Sequence, residues 1–181
     1  MTKWQGFATI ERFPAPYKNL TDTILEDTGV AFTVSIELNR EIELAAPFDD
    51  VFALMSDVPR LVRYFPKVEK LEDLGDNTWQ WEMEKIGVDK YSIRTVYACR
   101  YEMNRDAGKV TWVPVEGLGN GRVGGSWTLV DNGQTTRARY QTSAELTLPM
   151  PSLLKMAVSP VVKHEFNGLV DTYLNNLKKA F

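Results

Sequence analysis

Thr33-Val-Ser-Ile-Glu-Leu-Asn-Arg-Glu-Ile-Glu-Leu44 runs directly into Ala45-Ala-Pro47-Phe-Asp-Asp-Val-Phe-Ala-Leu-Met55. In the first segment Val34, Ile36, Leu38, Ile42 and Leu44 share one face, and Ser35, Glu37, Asn39, Glu41 and Glu43 share the other. That period of two is the mark of a strand with one dry side and one wet side. Ala46-Pro47 ends it, and Pro47 with Asp49 and Asp50 suits the first turn of a helix, where a missing N–H costs nothing and negative charge is favoured. Val51, Phe52, Leu54 and Met55 fill that short helix. A second one begins at Ser56 or Asp57, passes Pro59, and runs through Leu61, Val62, Tyr64 and Phe65 to end near Pro66.

Downstream, alternating runs are separated by turns at Gly75-Asp-Asn77, Gly87–Lys90, Asp106-Ala-Gly108, Gly117–Gly121 and Asp131-Asn-Gly133. Turn residues between alternating runs indicate hairpins and an antiparallel meander. The expected strands are Val68–Leu74, Thr78–Ile86, Tyr91–Asn104, Lys109–Val115, Arg122–Val130 and Thr135–Leu148. After Pro149-Met-Pro151 comes a short helical turn through Val158. Ser159-Pro160 then reads as an N-cap followed by proline at the first helical position. From there Val162, Phe166, Leu169, Val170, Tyr173 and Leu177 recur at helical spacing, with Leu154 and Val158 on the same side if the helix only kinks at Pro160. His164, Asp171, Asn175 and Lys178 occupy the opposite face.

The expected fold is therefore α+β: a curved antiparallel sheet of about seven strands around a long C-terminal helix, with two short helices after the first strand. Residues 1–32, broken by Pro14 and Pro16, read as an extension of unknown role; residues 33–181 read as one ligand-binding domain. A chain of 181 residues is long enough to bury roughly 70% of its unfolded surface in one domain. The formal charge of −3 argues against nucleic-acid binding, which needs clustered positive charge. A single cysteine, Cys99, excludes an intramolecular disulfide, and one histidine with one cysteine offers no zinc-type ligand set. Met1-Thr-Lys-Trp-Gln-Gly-Phe7 lacks the apolar run of a signal peptide, and no stretch approaches a membrane span. The cytoplasm is the expected location, with transient membrane contact allowed. No cofactor is called for, and the oligomeric state is not legible.

Two local signals invite chemistry and are better read otherwise. His164, the only histidine, lies opposite the apolar stripe of its helix, whereas a general base must reach the pocket. Gly119-Asn-Gly121-Arg-Val-Gly124 spells the dinucleotide-binding fingerprint, which requires a helix immediately after it to meet the pyrophosphate. Here Ser126-Trp-Thr-Leu-Val130 follows, a strand, so the glycines read as a loop or bulge that could serve as a mobile lip of a cavity. Arg40 is the sharpest anomaly, because it falls on the dry face of the first strand. It reads as an anchor for a ligand carboxylate or phosphate, as one half of a salt bridge, or as a bulge turned outward.

Aromatic residues are plentiful: five Trp, seven Tyr and eight Phe. Trp79, Trp81 and Met83 share one strand face; Tyr91, Ile93, Thr95, Tyr97, Cys99, Tyr101 and Met103 share another; Trp112 and Trp127 fall on later strands. Hydroxyl-bearing rings on a dry face suit the orientation of a ligand's polar head, and suit a dense core as well. Arg94, Arg100, Arg137, Arg139, Glu82 and Glu84 fall on the outer faces, as cross-strand ion pairs would.

Ile42-Glu-Leu-Ala-Ala-Pro47, Val51-Phe-Ala-Leu-Met-Ser-Asp57, Tyr64-Phe-Pro66 with Val68, the Gly125-Ser-Trp127 strand and the closing segment Leu148–Phe181 together resemble the START-related superfamily with the helix-grip fold. That superfamily includes polyketide cyclase/dehydrase-like proteins, ubiquinone-binding proteins, lipid-transfer domains and plant pathogenesis-related allergens. The resemblance covers roughly residues 33–181. It implies a sheet gripping the C-terminal helix with a hydrophobic cavity between them, and it carries no universal catalytic motif. The first functional expectation is thus binding or transport of a hydrophobic small molecule such as a lipid, quinone, isoprenoid or polyketide. Trp81, Tyr97, Trp112, Phe166 and Tyr173 are the expected lining, with Arg40 as polar anchor. The alternatives are a cyclase- or dehydratase-like enzyme acting on a hydrophobic carbonyl substrate, and an assembly or membrane-delivery factor.

Overall fold

The alternation of the first strand persists in three dimensions: along β1 (Phe32–Leu44), Phe32, Val34, Ile36, Ile42 and Leu44 are buried, Leu38 and Arg40 on the same face are half-buried, and the alternate residues are exposed. The computed structural model describes residues 31–86 and 92–181. Nearly all of the expected extension, the turn at Gly87–Lys90, and Tyr91 lie outside these residues. After β1, Pro47 precedes helix α1 (Phe48–Met55), with Asp49 and Asp50 in its first turn. Asp57 caps α2 (Val58–Leu61), its carboxylate accepting from the Arg60 N–H at 3.0 Å. A single 3-10 turn, Val62–Tyr64, completes the helical stretch.

The meander follows as β2 (Val68–Gly75), β3 (Thr78–Met83), β4 (Val96–Asn104), β5 (Lys109–Pro114), β6 (Gly121–Asp131) and β7 (Thr136–Leu148). All neighbours are antiparallel, in the order β1-β7-β6-β5-β4-β3-β2. Among the described residues β1 and β2 therefore form the two edges of one seven-stranded sheet, and the helical stretch crosses between them. β3 and β4 are shorter than the alternation suggests. Beyond Met83, among the described residues, an isolated bridge, Ile86 to Ile93, continues their pairing. On the outer surface Arg94 pairs with Glu69 (2.8 Å) and Glu82, and Arg139 with Glu41 (3.1 Å), the expected cross-strand ion pairs.

The closing helix α3 (Lys155–Ala180, 26 residues) follows a 3-10 turn at Ser152–Leu154. It does not start at Ser159. The helix runs through Pro160, and the Ser159 hydroxyl, expected to cap it, is buried without a hydrogen-bond partner among the described residues. Packing overrides the local capping signal: Val158 and Val162 on the inner side press against a cluster of Phe32, Val34, Ile36 and Leu148. Ending the helix at Ser159 would pull Val158 away from that contact. Further along, Val170, Tyr173, Leu174 and Leu177 are buried against the concave face of the sheet, each worth roughly 1.5–3 kcal/mol on leaving water.

An interior proline costs about 3 kcal/mol through its missing N–H and its clash with the preceding turn, of which about 1 kcal/mol is returned by stiffening the unfolded chain. Pro160→Ala is therefore expected to stabilise the protein by about 2 kcal/mol. Urea unfolding would show this as a raised midpoint at constant slope; a lowered midpoint would mean the helix depends on a proline-induced bend.

Candidate functional site

The inward faces of β3, β4, β5, β6 and β7 and the inner side of α3 place aromatic rings around one interior space. Following ring-to-ring contacts, Tyr97 stacks on Trp81 (centroids 6.1 Å, 5° between planes), and Trp81 meets the edge of Phe65 (5.9 Å). Phe65 touches Tyr173 (5.0 Å), Tyr173 meets Tyr140 (6.0 Å), and Tyr140 stacks on Trp112 (5.5 Å). Trp112 reaches Tyr101 at 6.3 Å, and Tyr101 and Tyr97 belong to the same strand with Cys99 between them. The rings thus form a circuit whose two ends, Tyr97 and Tyr101, lie on one strand. Trp127 sits behind it, 4.8 Å from Tyr140 and 6.2 Å from Tyr173.

These rings, with Met55, Leu61, Cys99, Val110, Val123 and Phe166, line the cavity. Its free volume is about 50 Å³, space for a few waters and far below the ~300 Å³ at which ligand pockets begin. The aromatic side chains nearly fill the grip. The Trp112 ring can lie flat here only because β6 carries Gly125: a Cβ there would stand 2.6 Å from that ring and 2.2 Å from the Gln141 carbonyl oxygen.

Trp81, Tyr97, Trp112, Phe166 and Tyr173 all stand in this wall. Arg40 does not. It faces inward from β1, but its guanidinium is held by the carboxylate of Asp171 (3.1 Å) and the side-chain oxygen of Asn167 (2.9 Å) on α3, and it donates to its neighbour's carbonyl at 3.2 Å. Arg40 thus fastens the edge strand to the helix. Because the pair is substantially exposed, it contributes at most about 1 kcal/mol. Phe65, Tyr101, Trp127 and Tyr140 also belong to the wall, although the sequence reading did not select them. Tyr140 carried a signal, since Thr136, Ala138, Tyr140, Thr142 and Ala144 alternate with charged and polar residues in β7; Phe65, expected within the second short helix, instead follows the 3-10 turn.

The glycine-rich segment Gly119–Gly124 leads into β6, not into a helix. Its expected role as a mobile lip does not fit the bonding at Asn120. That side chain accepts from the Val96 N–H (2.9 Å) and donates to the Arg94 carbonyl (3.1 Å), while its backbone bonds Val96 and Thr147. Gly119 makes this possible with a φ of 74° and a backbone so close to Val96 that no side chain fits. His164 is exposed on the outer side of α3.

Electrostatically the wall is neutral. Burial is the largest cause of the raised pKa of Tyr97, Tyr101 and Tyr173, all held well above the ordinary phenol value, and of Tyr140, also held above it. The Thr142 side chain beside Tyr140 and the Trp127 side chain beside Tyr173 offset part of that burial; no such neighbour does so at Tyr97 or Tyr101. Burial likewise pushes the Cys99 thiol, which donates to the Val123 carbonyl at 3.0 Å, up to about 12. The Trp81 indole N–H is buried with no partner among the described residues. The lining therefore supplies neutral hydrogen-bond donors and no carboxylate, imidazole or ammonium group. It can hold a neutral oxygen; it does not hold a group poised to take a proton at neutral pH. Among the described residues no three His, Cys, Asp or Glu side chains converge as a metal would require, and no helix is long and apolar enough to cross a membrane.

Residues 35–181 match the protein family described as "Polyketide cyclase / dehydrase and lipid transport". No curated protein has a matching sequence. Among solved structures, a protein of Thermus thermophilus is 20% identical, with a TM-score of 0.60 over 80% of this chain and 95% of that one. A START superfamily protein of Mycobacterium smegmatis is 14% identical, with a TM-score of 0.57 over 80% of this chain and 95% of that one. The Zhui aromatase/cyclase of a Streptomyces species is 16% identical, with a TM-score of 0.55 over 81% of this chain and 90% of that one. At such identities the likeness is one of fold, the helix-grip arrangement.

The buried thiol and phenols set a pH dependence. They keep their protons in the folded state, while the unfolded chain releases them from about 9.0 (Cys99) and 10.0 (the tyrosines) upward. Above pH 9 the folded state thus binds more protons than the unfolded one, so stability falls as pH rises, by about 1.4 kcal/mol per pH unit for each such group. Urea midpoints measured between about pH 8 and 11 should drop once the pH passes the unfolded thiol's value, and Cys99→Ala should remove the earliest part of that drop. A flat profile would mean the cavity is wet.

Proposed function

The chain belongs to the polyketide cyclase/dehydrase and lipid-transport family, and from that premise we propose that it binds a neutral hydrophobic small molecule, with an oxygen acceptor, in the space enclosed by its aromatic circuit. The observation that supports this most is the composition of the wall. Aromatic rings from five strands and the closing helix surround an interior whose hydrogen-bonding side chains are all uncharged, including the unpartnered Trp81 N–H. An acceptor oxygen on a quinone, polyketide or isoprenoid alcohol relieves that N–H, whose lack of a partner costs roughly 1–3 kcal/mol. A carboxylate or phosphate finds no cation there, since Arg40 is committed to Asp171 and Asn167 outside the lining.

Entry requires the rings to part, because the free space is far smaller than any such ligand. Phe166 and Tyr173 come from α3 and the remaining rings from the sheet and the 3-10 turn region, so a small outward shift of the helix enlarges the space without breaking the strand ladder. Carriage is favoured over catalysis by the lack of a titrating acid or base in the lining. The cyclase-like reading retains one supporting feature: the hydroxyls of Tyr97, Tyr101, Tyr140 and Tyr173 belong to residues of the lining and could steady the oxygen of an enol as a chain folds on itself.

Native mass spectrometry of gently purified protein, followed by solvent extraction, tests the proposal. A defined neutral apolar molecule in about stoichiometric amount is expected, and its affinity should fall about tenfold or more in Tyr97→Ala and in Phe166→Ala, as the loss of a buried ring implies. Folded variants that bind as tightly as the original, or a bound anion in place of a neutral molecule, would overturn it. Turnover of a polyketide-type carbonyl substrate by the original protein would instead select the cyclase reading.

A further inference from the structure

The start of α3 breaks the rule that a surface helix has one apolar side. Over its first two turns the inner side carries Val158 and Val162, packed on the Phe32, Val34, Ile36 and Leu148 cluster. The outer side is apolar as well, from the preceding 3-10 turn onward: Leu153 and Met156 are 90% and 89% exposed, Val161 is 60% exposed, and Ala157 and Pro160 are exposed between them. From Lys163 onward the outer side turns polar, through Lys163, His164, Asn167, Asp171 and Asn175. A helix apolar all round is ordinarily buried. The outer side of these two turns is not buried against any described part of the chain.

We propose that this face is a docking surface for an anionic lipid bilayer, inserting Leu153, Met156 and Val161 among the acyl chains while Lys155 and Lys163 meet the head groups. Charge favours this occupant. Both lysines are exposed and enter no ion pair among the described residues, and the nearest helix carboxylate, Glu165, is held by Lys67 at 3.2 Å. The patch is thus locally positive on a chain whose net charge is −3. Its size favours the same occupant. A handful of side chains on two turns falls well short of the roughly 800 Å² and 20–30 residues per partner of a stable protein interface, whereas a short apolar face flanked by lysines suffices for reversible attachment to an interface. The patch also adjoins the grip, because Phe166 belongs both to the cluster beneath these turns and to the cavity wall. A bilayer seated here lies next to the helix whose displacement would open the cavity. The docking surface stands on its own exposed residues and does not require the cavity to hold a ligand.

Flotation of the full-length protein with phosphatidylglycerol/phosphatidylcholine vesicles, compared with phosphatidylcholine alone, tests it. Binding to the anionic vesicles that weakens with salt is expected. Leu153→Asp combined with Met156→Asp should abolish binding. Lys155→Gln and Lys163→Gln should each weaken it about fivefold, the equivalent of ~1 kcal/mol per lysine at a charged membrane. All four substituted residues are exposed, so thermal midpoints should be unchanged, and the native mass spectrum of the cavity's contents provides a separate readout. A full-length protein that does not float overturns the proposal, as would be seen if residues 1–30 covered the face. So does binding that survives the double aspartate variant. A doubled solution mass that this variant alone loses assigns the face to a second copy and overturns it equally.

Discussion

Everything in this protein depends on one contact, the burial of Val170, Tyr173, Leu174 and Leu177 of the closing helix in the hollow of the sheet. Without it the concave face, with its tryptophans and tyrosines, would be open to water, and the edge strand would lose the Arg40–Asp171 tie. The contact is uneven along the helix. Its C-terminal half is fully seated, its middle borders the cavity through Phe166, and its first turns are only half-seated, with apolar residues on both sides. A gradient from tight to loose along one rigid element makes the start of the helix the part that moves at least cost.

Cavity and core are the same object here. Aromatic residues contribute large area with few rotamers, so a ring of them gives a rigid wall when packed and a ligand-shaped surface when parted. The polar groups within that wall are all neutral, and burial keeps them so. The interior therefore discriminates by shape and by hydrogen-bond acceptance, not by charge. Charge has been moved to the outer strand faces and the flank of the helix.

Much of the architecture was legible because its signals are local. The period-two alternation of Val34 to Leu44, the proline and two aspartates opening the first helix, and the turn residues between strands each depend only on neighbours in sequence. What was not legible depends on distant partners. Arg40 was visibly anomalous, but the residues that occupy it, Asn167 and Asp171, lie 127 and 131 positions away. Ser159-Pro160 has the grammar of a helix start, and it fails because Val158 and Val162 must face the same cluster. Trp81, Tyr97, Trp112, Phe166 and Tyr173 could be placed on the inner faces from alternation and helical spacing. That their rings would nearly fill the space between them follows from packing that no pattern in the chain expresses.

The order of the strands has a further consequence for how the chain is made. Among the described residues β1 has one neighbour, β7, and the pair runs from Phe32 opposite Leu148 to Leu44 opposite Thr136. During synthesis β1 therefore emerges long before β7, an amphipathic ribbon awaiting that partner, while the hairpins from β2 to β6 can close behind it in turn. The fold is sealed only from its C-terminal end. A ribosome that stalls before β7 leaves a nearly complete sheet with its first strand still searching for a neighbour, the state in which edge-to-edge association with another chain is most favoured.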